Sequence, residues 1–187
     1  MGSTWPVRTF GTPSHTLRAL AAVVLVAVVI GGLTSPAQQF LPDALRSLAN
    51  AAGPWFVVIL VAVRLARVPR VPSIVFGVLG FFLLNASYGV VSEIRGYPYS
   101  VLNIWTIIAI PAGIAVGVAA TWLGSGRTLL VMLGAAAPAV VLIAEGLYGL
   151  TAILATTGPV VWILELVGAV AWMAWVVARR PRSKPSQ

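Results

Sequence analysis

The sequence has no cysteine, and its single histidine, His15, stands near the N-terminus. Disulfides, thiolate metal sites and cysteine nucleophiles are therefore excluded. One imidazole in a terminal segment cannot build a histidine cluster, so no metal site and no cofactor is expected. Acids are nearly as scarce: Asp43, Glu93, Glu145 and Glu165 are the whole set. There is no aspartate-rich diphosphate motif, HExxH, GxSxG or P-loop. Magnesium–diphosphate chemistry and ATP-driven work by this chain alone thus lack their usual residues.

What fills the sequence instead is apolar. Of 187 residues, 59% are hydrophobic and 9% charged, and the mean hydropathy is +0.99. So few charges cannot cover a soluble domain, which makes lipid the expected solvent. A bilayer core about 30 Å thick takes roughly 20 apolar residues per helix. Six segments qualify: 17–34, 53–65, 72–92, 103–123, 128–154 and 158–178. The expected fold is all-α, a polytopic transmembrane bundle of six helices over 17–178. The stretch 42–52 reads as a short interfacial helix leading into the second span. The ends, 1–16 and 179–187, are rich in Pro, Ser and Arg and read as disordered basic tails.

The net charge of +8 is arranged for a membrane and not for nucleic acid. With the N-terminus inside, the cytoplasmic side carries Arg8, Arg18, Arg64, Arg67, Arg70, Arg127, Arg179, Arg180, Arg182 and Lys184. The outer side carries only Arg46 and Arg95. Positive charge concentrates on the cytoplasmic side of membrane proteins, so both termini are expected in the cytoplasm of a bacterial plasma membrane. Anionic lipid headgroups are the natural partners of these arginines.

That topology puts every acid in the outer half. Glu145 falls about nine residues below the outer end of its span, roughly 13 Å down, and Glu165 about seven residues, roughly 10 Å. The two sit at similar depth on consecutive antiparallel helices, which allows them to face one pocket. A carboxyl there is costly unless it is neutral, paired or hydrated. A neutral carboxyl near pH 7 is a proton donor, useful to a general acid and to proton-coupled transport alike. Polar and aromatic groups gather at the same level: Asn50, Asn85, Tyr88, Glu93, Arg95 and Tyr97, with Tyr99, Asn103 and Tyr148. Pro111 and Pro138 are expected to bend the fourth and fifth spans and open a cavity. Plainer readings stand beside these. Glu145 and Glu165 also read as structural hydrogen-bonding acids, and Glu93 with Arg95 as a solvated loop pair. Trp55, Trp105 and Trp162 read as an interfacial aromatic belt, and Gly113 with Gly117 as a helix-packing site.

Four segments stand out together: Ser47-Leu-Ala-Asn-Ala-Ala-Gly-Pro-Trp55, Arg95-Gly-Tyr-Pro-Tyr-Ser100, Glu145-Gly-Leu-Tyr-Gly-Leu150, and Trp162 with Glu165. Over about 17–178 the pattern resembles a family of actinobacterial multipass membrane proteins of unknown function. In type only, the chain is also similar to small integral membrane terpene cyclases, which combine intramembrane acids with aromatics and lack metal motifs. No diagnostic motif of those enzymes aligns here. What that resemblance implies is an acid that protonates an epoxide or alkene and aromatic faces that stabilise the carbocation.

The expected site is thus an outer-half pocket for a hydrophobic, isoprenoid or lipid-like molecule. Glu145 would be the proton donor and Glu165 its partner, walled by Trp55, Tyr88, Trp105, Tyr148 and Trp162. A proton-coupled carrier or carrier subunit is the alternative. A non-catalytic scaffold, with the glutamates only holding helices together, is the third.

Overall fold

In a computed structural model of the chain, residues 12–100 and 102–179 are described. Most of the two basic tails expected to be disordered lies outside these residues. The described chain is helical throughout: α1 (Pro13–Phe40), a 3₁₀ helix (Asp43–Asn50), α2 (Ala52–Ala66), α3 (Arg70–Ile94), α4 (Ile104–Leu123), α5 (Thr128–Ala152), the single turn α6 (Leu154–Thr157) and α7 (Val160–Ala178). α1 starts four residues before the expected span. Pro13 occupies its first turn, where no N–H is needed, and Thr12 caps it by accepting from the His15 N–H.

Five helices (α1, α3, α4, α5 and α7) are long and apolar enough to cross a membrane. α2 has 15 residues, about 22 Å of helix, which is short of a bilayer core. It reaches a sixth span only together with the 3₁₀ helix, which joins it at a bend of 60°. Between 22% and 39% of the most apolar window in each of the five long helices is buried. Side chains such as Leu25, Ile107 and Val170 stand outward at 64–67% exposure. Helices that expose most of their apolar surface need a hydrocarbon solvent.

Tight helix contacts are made where side chains are missing. A Cβ at Gly77 would strike the backbone of Gly113, and one at Gly117 the backbone of Ile74. α3 and α4 therefore touch backbone to backbone along Gly77, Gly113 and Gly117. Gly31 does the same for α1 against the Leu84 carbonyl of α3. The core between them holds Val23, Ile59, Leu84 and Val116, each at most 1% exposed.

The alternating helices sort the connections into two ends. The loops 67–69 and 124–127 form an arginine-rich end with Arg64, Arg67, Arg70 and Arg127 around one crevice. The other end holds the 3₁₀ helix, the 95–103 loop and α6. The polar side chains converge there.

Candidate functional site

The site begins with a helix that lacks its own cap. α2 opens on Ala51-Ala52-Gly53-Pro54, and none of these side chains can accept a hydrogen bond. The first N–H groups of a helix have no partner within it. Pro54 removes one of these donors, because it has no N–H. The Ala51 N–H goes to the Leu48 carbonyl. The other two go to Glu145 of α5: Ala52 N–H donates to Oε1 at 2.7 Å and Gly53 N–H to Oε2. A carboxylate from another helix thus closes the N-terminus of α2, where the helix dipole favours negative charge.

Glu165 of α7 comes to the same point. A Cβ on Gly53 would lie 2.9 Å from Glu145 Oε2 and 3.1 Å from Glu165 Oε1. The missing side chain at Gly53 is what lets both carboxyls in. Glu165 is 5% exposed, and among the described residues no N–H or hydroxyl donates to its oxygens, which lie beside the Glu145 carboxyl. The two carboxyl groups therefore lie side by side, one met by the backbone donors of the α2 N-terminus and one not. Glu145 and Glu165 are thus brought together behind the α2 N-terminus, with Gly53 between them.

The aromatic and polar residues assemble on the other side of the α2 N-terminus. Three crevices adjoin. The first is apolar, about 320 Å³, between α2, α3 and α4, with walls that include Trp55, Phe56, Phe81, Trp105 and Ala112. It owes its space to alanines 109, 112 and 115 on one side of α4. Its lining residues Trp105 and Ile108 are 41% and 39% exposed, so it opens sideways towards the bilayer. The second, about 110 Å³, shares Ala52, Trp55 and Trp105 with the first and adds Gln38, Asn50, Tyr88 and Tyr99. The third, about 460 Å³, shares Gln38, Tyr88 and Tyr99 with the second and reaches Arg46, Arg95 and Tyr97.

Hydrogen bonds fix this wall. Gln38 Nε2 donates to Asn50 Oδ1 at 2.6 Å and to the Tyr88 hydroxyl at 3.1 Å. The Tyr99 hydroxyl donates to Asn85 Oδ1 at 2.5 Å, and Asn85 Nδ2 donates to Thr106 Oγ1 at 3.0 Å. Tyr88 sits edge-on between Trp55 and Tyr99, with ring centroids 6.0 and 5.0 Å away. Asn103 caps α4 by accepting from the Trp105 and Thr106 N–H groups, which sets Trp105 at the crevice mouth. Burial raises the Tyr99 phenol above its usual 10.0; the Asn103 hydrogen bond lowers it in part, and Tyr88 raises it further.

Several expected members lie elsewhere. Trp162 is buried at 3% and packs its ring on Gly149, with its Nε1–H donating to Thr157 Oγ1 at 2.8 Å. It holds α7 to α5 and lines none of the three crevices. Tyr148 is 58% exposed on the outside of α5. Glu93 is exposed, and among the described residues it makes no ion pair with Arg95. Arg95 turns instead to Ser35 and Gln39 of α1, with its guanidinium 5.3 Å from the Tyr97 ring centre. Glu145 and Glu165 back the α2 N-terminus, but the crevices are lined by Ala52 and Trp55 in front of them. Gln38 and Gly53 were not expected. A glutamine pair at the end of an apolar run was the available signal for Gln38. Among the described residues, no group of three or more His, Cys, Asp or Glu side chains could hold a metal ion.

No curated protein and no solved structure matches this chain. A family model covering residues 11–186 does match. With nearly all of its length covered, the chain belongs to DUF6518, a family of unknown function.

Proposed function

We propose that this protein binds a hydrophobic, isoprenoid or lipid-like small molecule in the aromatic crevice between α2, α3 and α4. The observation that carries this reading is that three crevices adjoin through shared lining residues, from the apolar pocket at Trp55 and Trp105 to the polar rim at Tyr88 and Tyr99. A concave site, mostly apolar with a few placed polar groups, is the usual form of a small-molecule site. Its lateral opening would admit a molecule dissolved in the bilayer.

Binding is favoured over acid catalysis. A proton on the Glu145–Glu165 pair is separated from the crevice by the Ala52–Gly53 turn, and Glu145 already accepts two N–H groups. A cyclase reading would require that turn to move. The carrier reading draws on the same feature, because Glu145 holds the helix start that forms the crevice wall. The arginine-rich end is proposed to face the cytoplasm, following the positive-inside bias.

Tryptophan fluorescence tests the binding reading. Bromododecanol, with its heavy atom at the chain end, should quench the protein saturably through Trp55 and Trp105. The Trp55→Phe/Trp105→Phe variant should lose the saturable part. Quenching that only rises linearly in the wild type would reject a discrete site.

A further inference from the structure

Among the described residues, the cation at the rim of the site has no counter-ion. The Arg95 guanidinium is half-buried, and its partners are all neutral. One Nη1 donates to the Ser35 carbonyl and, at 2.8 Å, to the Ser35 hydroxyl, while Nη2 donates to Gln39 Oε1. These bonds hold the plane of the guanidinium and leave its charge uncompensated. The single ion pair among the described residues is Arg46 with Asp43, at 2.6 Å on the surface. Arg46 and Arg95 line one crevice, with Gln38, Ser92, Tyr88 and Tyr99 between them. No acid lines that crevice. A positioned guanidinium with free N–H donors is suited to a phosphate or carboxylate.

This cationic rim shares Gln38, Tyr88 and Tyr99 with a smaller crevice, which in turn shares Ala52, Trp55 and Trp105 with the apolar pocket. That smaller crevice, about 110 Å³, has Trp55, Tyr88, Tyr99 and Trp105 in its walls, and we read it as the neck between rim and pocket. We propose that the occupant is a single-chain amphiphile with a phosphate monoester head, the head held by Arg95 with Arg46 and the hydrocarbon chain threaded through the neck into the Trp55–Trp105 pocket. This rests on the binding reading above and gives it a head and a direction. The small volume of the crevice between rim and pocket, about 110 Å³, favours one chain over the paired chains of a bilayer phospholipid. The neutral partners of Arg95 are consistent with a cation kept for an exchangeable anion.

Dodecyl phosphate and dodecanol differ only in the head. Both are titrated against the full chain in phosphatidylcholine nanodiscs, each displacing bromododecanol quenching. The wild type is expected to prefer dodecyl phosphate by about tenfold or more, the scale of a charge-assisted pair. Arg95→Gln should abolish that preference, with dodecyl phosphate losing about tenfold more affinity than dodecanol. Because Arg95 also ties α1 to α3, two surface variants supply independent readouts. Arg46→Gln should reduce the preference, and Asp43→Asn should increase it. If dodecanol binds saturably but dodecyl phosphate binds no better, the anionic head is overturned while the pocket stands. If neither binds saturably, the pocket itself is rejected. Nanodiscs with added phosphatidylglycerol address the source of the anion. Competition as strong as that of dodecyl phosphate would overturn the single-chain occupant in favour of the bilayer's own lipid, and weak competition supports it.

Discussion

Replacing Glu145 with alanine tests the construction of the site at its most connected atom pair. The variant removes both acceptors of the α2 N-terminus at once: the Ala52 N–H at 2.7 Å and the Gly53 N–H. α2 has no side-chain cap of its own to replace them. A hydrogen bond to a charged group contributes about 1.5–3 kcal/mol, and the loss of an N-cap costs about 0.5–2 kcal/mol. The two bonds share one carboxylate, so a total of about 2–4 kcal/mol is expected. In chains of roughly 150–250 residues, 1 kcal/mol moves Tm by about 2–4 °C. Glu145→Ala should therefore lower Tm by roughly 4–16 °C, measured by thermal unfolding in detergent with tryptophan fluorescence. Glu145→Gln keeps one acceptor oxygen and should fall between. Glu165→Gln leaves both N–H bonds to Glu145 in place, so it should lower Tm by much less than Glu145→Ala. If Glu145→Ala is neutral, or if Glu165→Gln destabilises as much as Glu145→Ala, the capping account is refuted.

Other positions report on separate parts of the account. Gly53→Ala places a methyl group within 2.8 Å of Leu142 Cδ2 and about as close to both glutamates, and should destabilise by about 1–3 kcal/mol as an overpacked site; unchanged Tm would mean that the two carboxyls do not converge there. Ala112→Phe fills the apolar crevice from α4 and should abolish saturable bromododecanol quenching while the protein still inserts and unfolds cooperatively. The Tyr99 phenol is raised above 10.0, chiefly by burial. A raised acid contributes stability fully present below pH 10 and lost as pH rises through its folded value. Alkaline difference spectroscopy should show the last tyrosine to ionise missing in Tyr99→Phe, and stability should begin to fall only above about pH 10. With no native cysteine, single cysteines at Ser125 and Thr156 report sidedness. In intact cells an impermeant maleimide should label Thr156→Cys and spare Ser125→Cys.

The helical bundle and the crowded polar end were legible because hydropathy and charge act at segment scale, and a run such as 17–34 needs no partner to declare itself. The short helix over 42–52 could also be read. Its proline and polar residues break the apolar run, and the 60° bend before α2 is the structural counterpart. The meeting of Glu145 with Glu165 could be anticipated from equal depth. Its purpose could not, because it depends on an absence elsewhere: α2 starts without a capping side chain, and nothing near Glu145 in sequence reveals this. Trp162 and Tyr148 show the other limit. Depth puts both at the level of the site, but their azimuth around the helix decides where they go. Gly149 accepts the Trp162 ring, while Tyr148, one residue earlier, turns out to lipid. Gln38 escaped notice because its partners Asn50 and Tyr88 lie 12 and 50 residues away.

The central claim is that a hydrocarbon chain occupies one crevice and not the lipid-facing surface at large. A dodecyl phosphate with a diazirine at the chain end, photoactivated in nanodiscs and mapped by peptide mass spectrometry, tests this directly. The account predicts labels on α2 at Ala52–Phe56 and on α4 from Trp105 to Ala112, removed by excess unlabelled dodecyl phosphate. Labels spread evenly over the exposed faces of α1, α5 and α7, and insensitive to competition, would contradict it.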